Sequence, residues 1–409
     1  MKIGIIIRSL VAEGGGEREA IMLGQELARR GTSVTFYVVF HATACYPKLL
    51  SKFRIVKLEN FREDRRGLFS HIPFLRSILR YFNEEKNAKA LARQIGSDTK
   101  ILNPHDEFSA HVAHYFKKHV KNIPSILMLN DLHILSWTLF DDPLFNLPPK
   151  PSWKKFLYKI FDLAWTKHFF KKQDAIAVLN IRTKEIMKRY LNIDAEVVRS
   201  GLDVAEFPYK AREAPEDRKV KLLSNGIFYI HRRFEDVIRA VKILVDSGFD
   251  PQLKITGDWR HKDIAQKYYE NLKKLVEDLG VEDHVKFAGL ISADALKQCY
   301  YEADILVVSN HMQTWGLFVF EAMSTGLPVV LSRSVGAAEV LRDGEEVLMA
   351  DPGSPKQIAE AVRKLIKDKE LYKKLSRHGA EFVREHISWE RYADQMLKLF
   401  ESAKTKINQ

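Results

Sequence analysis

The chain has only two cysteines, Cys45 and Cys299, and they stand far apart in no CxxC or Cys/His ligand spacing. Neither a disulfide framework nor a zinc site is indicated, and the cytoplasm is the expected compartment. Long hydrophobic runs are also missing. No stretch reaches the ~18 to 20 uninterrupted apolar residues that a membrane-spanning helix needs. The opening MKIGIIIRSL meets Arg8 too soon for the apolar region of a signal peptide and reads as a buried strand. There is no GxGxxG fingerprint, and no acid closes the next strand at the distance an adenosine ribose requires, which disfavours a dinucleotide dehydrogenase. Internal repeats, low-complexity tracts and recognised RNA- or DNA-binding modules are absent too, so a nucleic-acid partner is not expected.

What is present is a chain of 409 residues, 46% hydrophobic and 29% charged, enough for a sizeable core but too long for one, so two domains are expected. The net charge of +12 is unevenly spread. Residues 1–200 hold 33 Lys and Arg against 20 Asp and Glu, whereas residues 201–409 hold 32 against 33. A basic half implies an anionic partner: nucleic acid, an acidic membrane surface or a phosphate-bearing substrate. A plain solvated surface is the alternative.

Strand, turn and helix alternate along the chain, which argues an open parallel α/β sheet, and the pattern occurs twice. In the first half KIGIIIRS and SVTFYVVF flank a helix that begins in a glycine loop and closes at Gly31; ILNPHDEF, PSILMLND and DAIAVLN supply further strands. In the second half the strands are KVKLLSNG, PQLKITGD, HVKFAG, DILVVSN and LPVVLS. Between them the apolar pattern lapses into a charged stretch with Pro208 and Pro215, a hinge signal. The expected division is residues 1–200, residues 201–385, and a terminal segment 386–409. In that segment Trp389, Tyr392, Met396, Leu397 and Phe400 fall at helical spacing, so one face must be buried.

QTWGLFVFEAMSTGLPVVLS is similar to the E-x7-E block of the family-4 retaining glycosyltransferases. SVGAAEVLRDGEE resembles that family's glycine turn followed by Glu, RSGLDVAEF its interdomain signature, and GGGER its N-terminal Gly-Gly-x-Glu-Arg loop. The resemblance covers most of the chain. It implies the GT-B fold, two facing Rossmann-like domains with the last helix crossing back to the first, and a nucleotide-diphosphate sugar as donor with no metal. By the same resemblance Gly15 and Gly16 face the donor diphosphate and the acceptor, and Glu321 accepts both ribose hydroxyls. Gly316 and Leu317 open the helix that carries Glu321, so their amides and the helix dipole can face phosphate oxygens.

The chain departs from the family at three places. After the first strand of the second half, where the family has Gly-Arg and later Lys-Gly, the sequence reads NGIFYIHRRFED. Aligning Gly226 puts Ile227 at the arginine, Arg232 at the lysine and Arg233 at the following glycine. Arg232 can grip the diphosphate and stabilise its charge as the glycosyl bond breaks. Arg233 either does the same or pairs with Glu235 or Asp236. Gln313 takes the first acidic position of E-x7-E, which keeps hydrogen bonding but brings no negative charge; altered donor preference, slower chemistry or an inactive homologue are its readings. Asn130 stands where many members have a histidine. Asn130 and Asp131 contact the donor sugar or acceptor, or Asp131 caps the next helix. His105 and Asp106 are candidate cleft residues on the same terms, with helix capping as the alternative.

For the acceptor there are only two basic, aromatic segments, FREDRRGLFSHIPFLRSILRYF and PSWKKFLYKIFDLAWTKHFFKK. They suit an anionic membrane surface, and with it a lipid-linked acceptor and peripheral contact with the inner face of the cell membrane, or else they pack in the first domain.

Overall fold

The computed structural model describes residues 1–11, 14–59, 61, 73–131, 153–216, 219–260 and 262–408. The chain divides into two units, Met1–Gly201 with Trp389–Gln409, and Leu202–Ser388.

In the first unit β1 (Lys2–Leu10) is apolar and almost wholly buried, as a strand covered on both faces must be. It pairs in parallel with β2 (Ser33–His41) and β4 (Ile101–Pro104), and β3 (Arg54–Lys57) adds to β2, giving the order β3-β2-β1-β4. The strands β5 (Ile126–Leu129), β6 (Ala175–Val178) and β7 (Glu196–Val197) form a second parallel set, joined to the first by a bridge between Leu102 and Ser125.

The helix Gly15–Arg29 links β1 to β2 and buries Ala20, Ile21, Leu23 and Leu27. It ends because Gly31 adopts φ +78, which lets the Gly31 and Thr32 amides donate to the carbonyls of Ala28 and Leu27, both at 3.0 Å. The chain's last helix, Trp389–Asn408, belongs to this first unit. Trp389, Tyr392, Met396 and Phe400 are its buried stripe, and Arg29 and Arg30 reach its Glu390 and Asp394.

The second unit is a six-stranded parallel sheet of β8 (Lys219–Asn225), β9 (Asp250–Thr256), β10 (Val285–Gly289), β11 (Ile305–Val308), β12 (Val329–Ser332) and β13 (Leu348–Ala350), in the order β10-β9-β8-β11-β12-β13. The helix Phe234–Asp246 turns Phe234, Val237, Ile238, Val241 and Leu244 onto it. In both units the strand order reverses beside the first strand, at β1/β4 and at β8/β11. Open parallel sheets bind ligands at the carboxyl ends of the strands flanking such a reversal.

Candidate active site

Around the second unit's reversal four loops are laced together by contacts to backbone groups. The loop after β8 passes Gly226 and a short 3-10 turn, Ile230–Arg232. Gly257, after β9, has φ +142, and a Cβ there would lie 1.8 Å from the Gly226 carbonyl oxygen, so only glycine fits. From the loop after β11, the Ser309 hydroxyl shares its one proton between the carbonyls of Arg232 and Arg233, each 2.9 Å away, and the His311 amide donates to the His231 carbonyl at 2.8 Å. The loop after β12 joins through the Gly336 amide, which donates to the Gln313 carbonyl at 2.9 Å.

This lacing sets Arg232 beside Gln313, and the guanidinium Nη1 donates to the Gln313 amide oxygen. Asn310 Nδ2 donates to the same oxygen at 3.3 Å. Burial, with Arg232 and His311 adding to it, pushes His231 down to about 3, so this neighbour of Arg232 is neutral near pH 7. Just beyond Gln313, Gly316 takes φ +88 and opens the helix Leu317–Ser324, which has no side-chain cap. Glu321 lies one turn in and accepts from the hydroxyl of buried Tyr300 at 3.1 Å.

Arg233 adopts φ +55, a left-handed conformation at the position where the resemblance expects glycine. Its guanidinium pairs with Asp236 at 2.9 Å and Glu235 at 3.1 Å, so of its two readings the ion pair is the one formed. Ile227, in place of the expected arginine, is exposed.

In the first unit the Arg8 amide donates to Asp106 at 2.6 Å, and the other Asp106 oxygen accepts from the Ser109 amide at 2.7 Å, capping the helix Glu107–His119. His105 is buried with Nε2 2.9 Å from Asn103 Oδ1, and burial pushes it down to about 3. Asp106 thus forms the helix cap, whereas His105 spends only Nε2 within the fold: its buried Nδ1 has no hydrogen-bond partner among the described residues. Gly15 has open space around it, whereas a Cβ on Gly16 would lie 2.9 Å from Asn130 Nδ2, so the loops after β1 and β5 meet there. Asp131 is exposed; the segment it was expected to cap lies outside the described residues.

Spacing alone did not reveal His231, Asn310 or Ser309, since each acts through a loop contact with no motif around it. The position of Ser309 and Asn310 at a strand's carboxyl end was the available signal.

Two units of open parallel sheet, with strand orders that reverse at β1/β4 and at β8/β11, are the architecture of the GT-B fold, and the chain has that fold. Residues 206–382 match the family Glycosyl transferases group 1. The chain is 29% identical over 181 residues to mannosylfructose-phosphate synthase of Agrobacterium fabrum, covering 44% of this chain and 40% of the other. It is 31% identical over 215 residues to the lipopolysaccharide core biosynthesis glycosyltransferase LpsE of Rhizobium meliloti, covering 53% and 59%. The chain thus spans about half the length of these curated relatives. Among solved structures, HepE of Anabaena in complex with UDP and glucose aligns over 98% of this chain and 100% of its own, with a TM-score of 0.70 and 16% identity, a likeness of fold.

Proposed function

We propose that the protein is a retaining glycosyltransferase that moves a sugar from a nucleotide-diphosphate sugar to a hydroxyl of a lipid-linked or anionic acceptor. The observation that carries this reading is the placement of Arg232 against Gln313 at the β8/β11 reversal, beside the uncapped helix that holds Glu321. HepE, solved with UDP, supports a donor of the uridine diphosphate type.

In this reading Glu321 accepts the ribose hydroxyls, and the amides of Gly316 and Leu317 face the diphosphate. As the bond from sugar C1 to the diphosphate oxygen breaks, its electron pair stays on that oxygen, and Arg232 with the helix dipole stabilises the growing charge. The acceptor hydroxyl bonds to C1 from the same face and passes its proton to the departing diphosphate, which preserves the anomeric configuration. Gln313 holds Arg232 and hydrogen-bonds the donor sugar. On the first unit, the Gly15-Gly16 turn with Asn130 and Asp131 recognises sugar or acceptor. The reaction runs without a metal, in the cytoplasm.

Calorimetry against a panel of nucleotide sugars, followed by NMR of the product's anomeric centre, tests this reading. It expects binding of a nucleotide-diphosphate sugar and a product of unchanged anomeric configuration, insensitive to chelator. No nucleotide binding, or an inverted product, would refute it. Gln313 favours one other reading, a nucleotide-sugar sensor, which binding without transfer would establish.

A further inference from the structure

Gln313 stands where the parts of the β8/β11 reversal meet. Its side chain lies against the start of the helix Leu317–Ser324, since a Cβ on Gly316 would come 3.4 Å from Gln313 Cγ. Its amide oxygen is taken twice, by Arg232 Nη1 and by Asn310 Nδ2 at 3.3 Å. These two donors fix which way the amide points. Turned over, Gln313 would set its own NH2 against a guanidinium and a second NH2, three donors with no acceptor between them. Gln313 Nε2 is therefore left over. It has no hydrogen-bond partner among the described residues, and the residue is half-buried rather than sealed.

We infer that Gln313 sets the class of donor sugar: it selects one that presents a carbonyl oxygen, from an acetamido or a carboxylate substituent, where a plain hexose presents a hydroxyl. The inference deepens the reading above and rests on it, since the sugar is what is joined to the diphosphate that Arg232 and the Gly316 amide face in that reading. The selection follows from counting donors and acceptors. A carboxylate at 313 would spend one oxygen on Arg232 and keep the other to accept from a sugar hydroxyl. The amide has only N–H left to offer, and a carbonyl oxygen takes it with two lone pairs and no hydrogen to turn aside. A hydroxyl can take one such bond, yet its own proton then finds no acceptor on Gln313, whose oxygen is already filled. Charge agrees. Arg232, Asn310, Gln313 and the neutral His231 together carry one cation and no acid, so a sugar carboxylate would meet attraction there. Arg232, with five N–H groups, can hold Gln313 and still face the diphosphate. If Gln313 served only to brace Arg232, its oxygen alone would matter and the sugars would bind alike.

Calorimetry on the full-length protein compares UDP, UDP-glucose, UDP-N-acetylglucosamine and UDP-glucuronate, with Gln313→Glu alongside. The parent is expected to bind at least one of the two carbonyl-bearing donors about tenfold or more tighter than UDP-glucose, and the tighter of them names the source of the oxygen. In Gln313→Glu that preference should vanish or reverse, most steeply for UDP-glucuronate, whose carboxylate would meet another. UDP itself should bind the variant as it binds the parent, and matching thermal unfolding separates lost selection from lost folding. Equal affinities for the three sugar donors, or a preference that survives in Gln313→Glu, would overturn the inference and leave nucleotide binding standing. Binding of neither UDP nor any of the donors would strike the donor-site reading itself, and this inference with it.

Discussion

Glu19 and Tyr392, 373 residues apart in sequence, share a 2.8 Å hydrogen bond in the interior of the first unit. Asp131 faces the Glu19 carboxyl as a like charge. One carboxyl of the helix Gly15–Arg29 therefore holds the first turn of the chain's last helix.

Burial, reinforced by Asp131, raises Glu19 from 4.5 to about 8. With its folded value raised, the group contributes fully below about pH 4.5, and that contribution is lost as pH climbs through about 8. Glu19→Gln, a neutral isostere, should remove this slope. Urea midpoints of parent and variant should diverge progressively from about pH 5 to about pH 9, with the parent falling. Parallel midpoints would show that Glu19 does not titrate in this window.

Tyr392→Phe should cost about 1–2 kcal/mol of stability, since it strips a donor from a buried carboxyl. Chemical denaturation followed by tryptophan fluorescence measures it, and an unchanged midpoint would deny the bond its weight.

On the proposed reading, Arg232→Ala should lower kcat more than it weakens nucleotide binding, by ~100-fold or more, because in that reading the charge it faces is greatest as the diphosphate departs. Gln313→Glu should keep the contact with Arg232 while restoring a negative charge, and turnover should rise with nucleotide affinity little altered. A loss confined to KM in the first variant would contradict the assigned role.

On the proposed reading, Glu321→Ala is expected to weaken nucleotide binding by about 2 to 3 kcal/mol, since two ribose hydroxyls would lose their acceptor. Tyr300→Phe is the control: it removes the one hydrogen bond from Tyr300 to Glu321 and should move affinity far less. Calorimetry that finds the two variants alike would assign Glu321 to the framework.

Gly336→Ala would set a Cβ 2.0 Å from the Thr314 carbonyl oxygen, backbone that cannot step aside, so the loop holding Gln313 must shift. A loss of about 3 kcal/mol or more is expected. Gly15→Ala meets nothing within 4 Å and should be tolerated, which thermal unfolding of the pair checks.

The long strands and helices were legible because burial on both faces leaves an apolar run and burial on one face a helical stripe, as in KIGIIIRS and in Trp389 to Phe400. The strands β3, β7 and β13 left no such trace: they are four, two and three residues long, and their pairing depends on a neighbour already in place. At the site, Glu321 and Gly316 stood out from the block around them. The pairing of Arg233 stayed open until its φ of +55 turned its side chain onto Asp236. Sequence likewise could not show that Asp106, besides capping its own helix through the Ser109 amide, accepts from the Arg8 amide, which comes from 98 residues earlier.

The return of Trp389–Asn408 to the first unit sets an order of assembly on the ribosome. Residues 202–388 emerge as one continuous stretch and can collapse without waiting for anything downstream. The unit whose synthesis starts earliest finishes latest: until Tyr392 leaves the exit tunnel, Glu19 and the apolar face of its helix have no lid, and the nascent chain carries an unsealed seam. Mutations that weaken this helix should therefore burden chaperones during translation more than they alter the completed protein.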